Sequence, residues 1–579
     1  MTRRAVILPT VLFVLLLLGV FGAMYAFRIN ADLAATKAVA FRLQTRLAAE
    51  AGLEHVKMLL RTDRIHMDRW YHNPDEMNRI LVWAYDVDPS ILGTDEDLDE
   101  GSTAYRFSIV ADDPTDDEKY VRFGITDESS KLNLNQATFD QLLILVRSAL
   151  GDDTEVDPRE IVAAILDWRD PDANPQSEAG DTEGIYYEDL DEPYQIKNGP
   201  FDTVEELLLV KGVTPQLMYG EDFDRNGLLT DNEDDGDDSF PPDNQDNVLN
   251  RGLYPYLTVV SYEDNVSNDN RRRIYLFGDE NTVRDELAMV FEDEPDIVDY
   301  IVQVTRGQGG GRGPGSDNTG QPGNTDNSDG TQTGSAPSGG DNADTADGKG
   351  DNKSDTRQQV RDDDENANEN AEGEAQVGDE SADPEGQNGQ DENPQEDQES
   401  DDVQTPSGPI RTPASLLLPR SISGELREGP LRPEHLATLL DYTTTERPDV
   451  QRLVGLINVN TAPALVLRCL DLSEEQVRAI IELRPALSAE EKVTPAWLVT
   501  EGLLDLVDFE ALAPRITARG QQFTIEALGF ADHMGMVTRL QAMVDMVGPV
   551  AQVLYVRDLT SLGVTFPIRQ EDKENIRVR

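Results

Sequence analysis

Residues 5–27, AVILPTVLFVLLLLGVFGAMYAF, carry no charged side chain and directly follow Arg3 and Arg4. A helix needs about 20 apolar residues to cross the hydrocarbon of a bilayer, and this run supplies them. The preceding arginines would stay cytoplasmic and the rest of the chain would be exported. A cleaved secretory signal has a shorter apolar region and soon meets a turn. Here the Ala-rich segment ADLAATKAVAFRLQTRLAAEAGLEHVKMLL continues without one. One continuous helix from Val6 to about Leu60 is expected, half in lipid and half in water. Pro9 falls in its first turn, where a missing N–H costs least.

The 579 residues have a formal net charge of -62 and only 38% hydrophobic content, so not all of the chain can be core. Such an acidic surface repels phosphate backbones and suits cations. Cys469 is the one cysteine and sits on an apolar run, which excludes an intramolecular disulfide and cysteine-built metal or redox centres. The five histidines show no HExxH spacing. No Ser/His/Asp or Cys/His arrangement and no phosphate-cradling glycine loop stands out, so no enzyme is expected.

Along the chain, AYRFSIVA and YVRFGIT read as strands joined by an acidic turn. Helical spacing comes next over Gln141–Leu150 and Ile161–Trp168, and again in PFDTVEELLLVKGVTPQLM with Asp202 as its N-cap. YPYLTVVSYE returns to strand character. From about Arg306 to Thr405 almost no apolar residue occurs, so this segment cannot offset the entropy of ordering and disorder is expected. A second helical set includes TPAWLVTEGLL, and QQFTIEALGF, VTRLQAMVDM and VAQVLYVRDL close the chain with strand-like alternation. Strands flank helices on both sides, the pattern of an α+β framework into which a helical domain is inserted.

DFDRNGLLTDNE, Asp222 to Glu233, fits the calcium-loop template along its whole length. Asp222, Asp224 and Asn226 offer side-chain oxygens, Leu228 a backbone carbonyl, Thr230 a ligand directly or through water, and Glu233 a bidentate carboxylate. Gly227 makes the sharp turn and Leu229 points inward. The next residues, DDGDDSFPPDN, cannot continue a helix, so a static structural Ca2+ is expected rather than a sensor that opens. A second acidic cluster, with Asp167, Asp170, Asp172, Asp181 and Glu183, reads equally well as a plain turn or as another ion site.

The pattern Asn-x-Asn-x-Ala occurs twice, in KLNLNQATFDQLLIL and in LINVNTAPALVLRCL. It often opens helix-hairpin-helix modules that bind DNA, yet here both hairpins are acidic. A structural use is expected, with Asn135 or Asn460 capping the following helix while Ala137 and Ala462 permit close packing.

In this order, behind a basic leader and an apolar helix, DESSKLNLNQAT, AAILDWRDPD, YYEDLDEPYQIKNGPFDTVEELLLVKGVTPQL, YLTVVSY and INVNTAPALVL resemble the type II secretion protein K family, the large minor pseudopilins. The resemblance implies an α+β fold: a pilin-like domain with a long N-terminal transmembrane helix and an antiparallel sheet, interrupted by a SAM-like or helix-hairpin-helix-like helical domain that binds calcium. It implies a single-pass inner-membrane protein, its bulk in the periplasm, at the pseudopilus tip with other minor pseudopilins, where it helps start assembly for protein secretion across the outer membrane. The major pseudopilin, the prepilin peptidase and the inner-membrane secretion platform are further implied partners, and nucleic acid is not one. Cleavage is placed between Ala5 and Val6, with alanine where the family usually has glycine. Thr10 then stands where most pilins carry a glutamate. The implied segments are a leader (1–5), the helix (6–60), pilin-like strands (61–130) and the inserted domain with its calcium loop (131–253). A strand return and connector (254–305), an acidic linker (306–411), a second helical segment (412–520) and closing strands (521–579) complete them. A type IV minor pilin is the alternative within the superfamily, and a membrane-anchored DNA receptor the alternative outside it.

Overall fold

The computed structural model describes residues 7–85, 103–112, 122–151, 156–176, 184–230, 233, 236, 248–307, 409–422, 425–532 and 534–563. The expected cleavage site at Ala5 and Val6 and most of the acidic linker lie outside them. The N-terminal helix runs over Ile7–Asp63 as one element of 57 residues. Among the described residues it is the one helix long and apolar enough to cross a membrane, with a mean hydropathy of 2.4 in its most apolar stretch. Leu12, Phe13, Leu16 and Phe21 in that stretch are exposed.

Beyond it the helix becomes amphipathic. Thr45, Ala49, Gly52, Val56 and Leu60 recur at intervals of three or four and are buried, which places them on one face. That face lies on an antiparallel sheet whose strands run in the order Ile80–Tyr85, Thr103–Val110, Gln522–Ala531, Met534–Val547, Val550–Asp558. Thr126–Asp127 pairs with the start of Gln522–Ala531. In the central ladder Glu526 is opposite Val110 and Gly529 opposite Phe107. Phe107, Ile109, Phe523, Ile525, Ala527, Leu540, Ala542 and Val544 turn to the helix and form the sheet core with Leu53 and Val56. Gly529 sets the separation of helix and sheet, because a Cβ there would lie 1.9 Å from the carbonyl oxygen of Thr45.

The three closing strands match the sequence expectation. The strand expected over YVRFGIT shrinks to a bridge between Ala111 and Arg122 and the two-residue strand Thr126–Asp127. The strand Ile80–Tyr85 has no counterpart in the sequence reading, since ILVWAY is apolar throughout and shows no period of two.

Between Asp127 and Gln522 the chain leaves the sheet and builds two further cores. One joins Leu132, Leu142 and Ile165 to Ile457, Leu467, Trp497 and Phe509. The two helical segments that look separate in the sequence therefore share one interior. The other packs Val283, Leu287, Ile297 and Ile301 against Ile410, Leu416 and Leu439. It uses helices Glu280–Val290 and Pro295–Gly307, which follow the short strands Leu257–Thr258, Tyr262–Asp264 and Ile274–Tyr275 of the expected strand return. Asp202 is not a helix cap. Thr203 and Thr214 take the N-cap positions of the short 3-10 helix Val204–Leu209 and the helix Pro215–Tyr219, and Asp202 instead accepts from Lys197 Nζ at 2.8 Å.

The repeated element is a structural duplication. Leu132–Asn133 pairs in parallel with Leu257–Thr258, and Ile457–Asn458 pairs in parallel with Ile516–Thr517. In each copy the first asparagine accepts from the backbone N–H of the second, Asn133 from Asn135 and Asn458 from Asn460, both at 3.0 Å. In each, an arginine from a following helical segment donates to the alanine carbonyl: Arg169 to Ala137 at 2.5 Å and Arg484 to Ala462 at 2.6 Å. The second asparagines do not cap helices, as expected from the sequence, but tie down distant backbone. Asn135 exchanges two hydrogen bonds with Phe201, and Asn460 donates to Lys492 and Ala518 while accepting from Trp497. Thr138 caps Phe139–Leu150 through a capping box with Gln141.

Asp127 links this duplication to the sheet. It accepts from Ser129 N at 3.0 Å, Asn458 Nδ2 at 2.7 Å and Thr461 Oγ1 at 2.8 Å. Burial pushes its carboxyl from 3.8 up to about 6, against the pull of those donors.

Two substitutions probe this packing. Gly529→Ala forces the helix off the sheet and is expected to cost about 3 kcal/mol, read as a lower urea midpoint of the detergent-solubilised chain. A midpoint within error of the parent would show that the contact yields without cost. Asp127 binds its proton more tightly folded than unfolded, so its contribution is full below pH 3.8 and is lost as pH rises to about 6. At about 1.4 kcal/mol per unit, the stability of the parent relative to Asp127→Asn should fall by about 3 kcal/mol over that interval and stay level above it. A constant difference across the interval would show that Asp127 does not titrate there.

Candidate metal centre

Helix Pro215–Tyr219 ends at Gly220, whose φ of +62° reverses the chain. A Cβ at Gly220 would meet the carbonyl oxygen of Asn250 at 1.9 Å, so the two backbones approach as only glycine allows. The acidic loop begins two residues later. Asp222 accepts from Asn226 N at 2.9 Å and from Gly227 N at 3.1 Å, and Asp224 accepts from Asn226 N at 3.1 Å. Asn226 Oδ1 accepts from Leu228 N at 2.6 Å. These Asx-type bonds coil the loop around its own carboxylates. Gly227 has a φ of +69°, and a Cβ on it would fall 2.1 Å from Asp112 Oδ1.

One oxygen each from Asp222, Asp224 and Glu233 lies within 4.8 Å of the others. Asp222 and Glu233 are 7% and 1% exposed. Glu233 Oε2 accepts from Thr230 N at 3.1 Å and Thr230 Oγ1 at 2.6 Å, while Glu233 Oε1 is buried without a hydrogen-bond partner. Of the six sequence-predicted ligands, three carboxylates converge, and Asn226 and Thr230 are hydrogen-bonded to loop groups beside them. The side chain of Leu228 belongs to the sheet core. Leu229, expected to point inward, is only half-buried, because the loop lies against the sheet and the residue before it faces that way.

The site gathers buried carboxylates that repel one another. Burial pushes Asp222 up to about 8, and Asp112, Glu233 and Asp224 add repulsion. Glu233 is also raised, first by burial. Asp112 comes just after the strand Thr103–Val110, and no local spacing in the sequence connects it with a loop so far downstream. Arg251 stands near Asp112 at 3.7 Å and donates to the carbonyl of Gly227 at 3.0 Å. Fully buried Arg539, from the sheet, donates to the carbonyls of Asp224 and Arg225, each at 2.7 Å, and ion-pairs with Glu526. Loop, strand end and sheet are thus one polar unit. Buried, hard oxygen donors in this number, one without any partner, fit Ca2+.

In the second acidic cluster, Asp167 accepts from Gln176 N and Asp172 from Asn174 N, which is the geometry of a turn. Asp181 and Glu183 lie outside the described residues. No second metal-sized grouping of three acids occurs among the described residues.

Residues 122–219 and 457–526 each match a family model described as type II secretion system (T2SS), protein K. No curated protein matches the chain. Among solved structures, the crystal structure of the GspK-GspI-GspJ complex from the enterotoxigenic Escherichia coli type 2 secretion system is similar at 11% identity, covering 91% of this chain and 99% of that one. Its TM-score is 0.35, too low to carry an argument. An apolar N-terminal helix laid on an antiparallel sheet, with two regions that match protein K in the body inserted between its strands, is the arrangement of a minor pseudopilin of a type II secretion system. Both matched regions point to the protein K family of that system.

Proposed function

We propose that the chain sits at the tip of the pseudopilus, where it helps initiate assembly with other minor pseudopilins and so supports protein secretion across the outer membrane, without enzymatic activity. The observation that carries this reading is the inserted body: residues between Asp127 and Gln522 form two cores beyond the sheet core. Bulk of that size is hard to repeat along a helical filament and is free of conflict at its end. The N-terminal helix supports a single-pass anchor in the inner membrane, with the remainder in the periplasm. Partnership with two smaller pseudopilins is supported by the family. The buried second asparagines of the repeat argue against the DNA-receptor alternative, since Asn460 is 2% exposed and turned to backbone.

The same reading includes a structural Ca2+ held by Asp222, Asp224 and Glu233, with Asn226, Leu228 and Thr230 as the remaining loop donors. The ion would supply the positive charge that the buried carboxylates lack and would stiffen the loop against the sheet. At a hundredfold excess over its Kd, calcium should stabilise the chain by about 2.7 kcal/mol. Glu233→Gln is expected to weaken calcium binding by about tenfold or more in calorimetry and to remove most of the calcium-dependent gain in Tm. An undiminished gain would refute the assignment.

The tip reading is tested by tagging the full-length chain in its own host and purifying it in detergent with calcium or with chelator. Short prepilin-type proteins should co-purify with calcium and diminish with chelator, and deletion of the gene should stop secretion while leaving surface pili intact. Recovery of pilus subunits in place of secretion partners would transfer the chain to the type IV alternative.

A further inference from the structure

At the far end of the N-terminal helix, the strongly acidic chain presents a basic cleft. It has a volume of about 300 Å³ and is lined by Arg64, Lys492 and Arg519, by one carboxylate, Asp264, and by Asn268, Asn270 and Trp70. Arg519 is fully engaged. It donates to Val266 O at 2.9 Å, pairs with Asp441 and stands 3.7 Å from Glu263. Arg64 is different: its Nη1 is buried without a hydrogen-bond partner, and among the described residues no carboxylate lies within 4 Å of its guanidinium. Burial and the charge of Arg519 both act against its protonated form, with Asp264 and Glu263 opposing them. Lys492 likewise makes no ion pair among the described residues, and burial lowers its pKa. A guanidinium presents five donors in a planar fork, and leaving one buried and unused is costly.

We propose that this cleft is an anion site that takes a carboxylate of an acidic peptide segment from a protein partner, bound on the open edge of the Arg64 guanidinium with Lys492 adding charge. Three observations select this occupant. The fork of an arginine matches a carboxylate in bidentate fashion. The volume exceeds that of a lone inorganic anion, and the wall offers amides at Asn268 and Asn270 beside the apolar surfaces of Trp70 and Val493, as a peptide requires. A lipid headgroup is out of reach, because the helix continues from Phe27 to Asp63 at 1.5 Å per residue, which sets Arg64 about 50 Å beyond the apolar run. Non-specific attraction does not contribute, since a chain with a net charge of -62 repels anions elsewhere.

The test is calorimetric titration of the full-length chain in detergent at low salt with an acetylated, amidated tetraglutamate peptide. Tetraglutamine serves as neutral control and sulfate at matched ionic strength as the inorganic arm. Tetraglutamate should bind and tetraglutamine should not, and Arg64→Gln and Lys492→Gln should each weaken binding about tenfold. Arg64→Lys should recover part of the loss. Because neither side chain bonds within the described structure, the Tm of each variant should match the parent, which keeps the comparison interpretable. Absence of tetraglutamate binding, or binding indifferent to both substitutions, would overturn the site. Sulfate binding as tight as tetraglutamate would overturn the assignment to a peptide carboxylate.

Discussion

Arg106 and Asp532 lie 426 positions apart, yet Arg106 Nε donates to Asp532 Oδ2 at 2.8 Å beside the ladder between Thr103–Val110 and Gln522–Ala531. The rest of the architecture depends on this antiparallel pairing. Everything inserted between the two strands must return its ends to the distance of neighbouring strands, about 5 Å. Loop-closure entropy grows only with the logarithm of length, so a long insertion costs little more than a short one, provided it forms its own cores. It does so twice, and Asp127, accepting from Asn458 and Thr461, fastens the larger of the two to the last residue before the departure.

The internal duplication explains why the insertion closes well. Each copy begins with a short parallel pairing and an Asn-to-backbone bond two residues on, and is braced by an arginine on an alanine carbonyl. The copies then face one another in a common core: Gln141 of the first helix donates to the carbonyl of Cys469 in the second copy at 3.2 Å. A buried cysteine accounts for itself there as a small apolar side chain, and burial pushes its thiol up to about 12, far from reactivity.

What could be read from the sequence was local. The uncharged run and its Ala-rich continuation announced one long helix, and period-two alternation announced the last three strands. The calcium-type template was visible because its acids, its glycine and its terminal glutamate are twelve consecutive positions. What could not be read was set by contacts distant in sequence. Ile80–Tyr85 is a strand because Thr103–Val110 pairs with it, Asp112 joins the acidic loop because the sheet delivers it there, and Asn135 serves Phe201 rather than its own helix. The basic cleft is assembled from the end of one helix and two loops, so Arg64, Lys492 and Arg519 meet only in the fold.

The acidic loop shows how such distant contacts change the meaning of a motif. Taken alone, Asp222–Glu233 is a self-contained ion loop. In the fold, Leu228 is part of the sheet core, and Arg539 holds the carbonyls of Asp224 and Arg225 while its own charge answers Glu526. Undocking the loop would take both carbonyls from a buried guanidinium, and each charged donor left unsatisfied costs at least about 1–3 kcal/mol, so this arginine favours the docked loop. On the proposed calcium reading, the ion neutralises carboxylates that otherwise repel one another in the interface between sheet and insertion. Its binding energy then acts on the junction of the two bodies as well as on the loop. A loop that merely decorated the surface would gain local order from calcium, whereas one wedged against Asp112 and Arg539 transmits that order to the strand on which the pilin-like sheet is built.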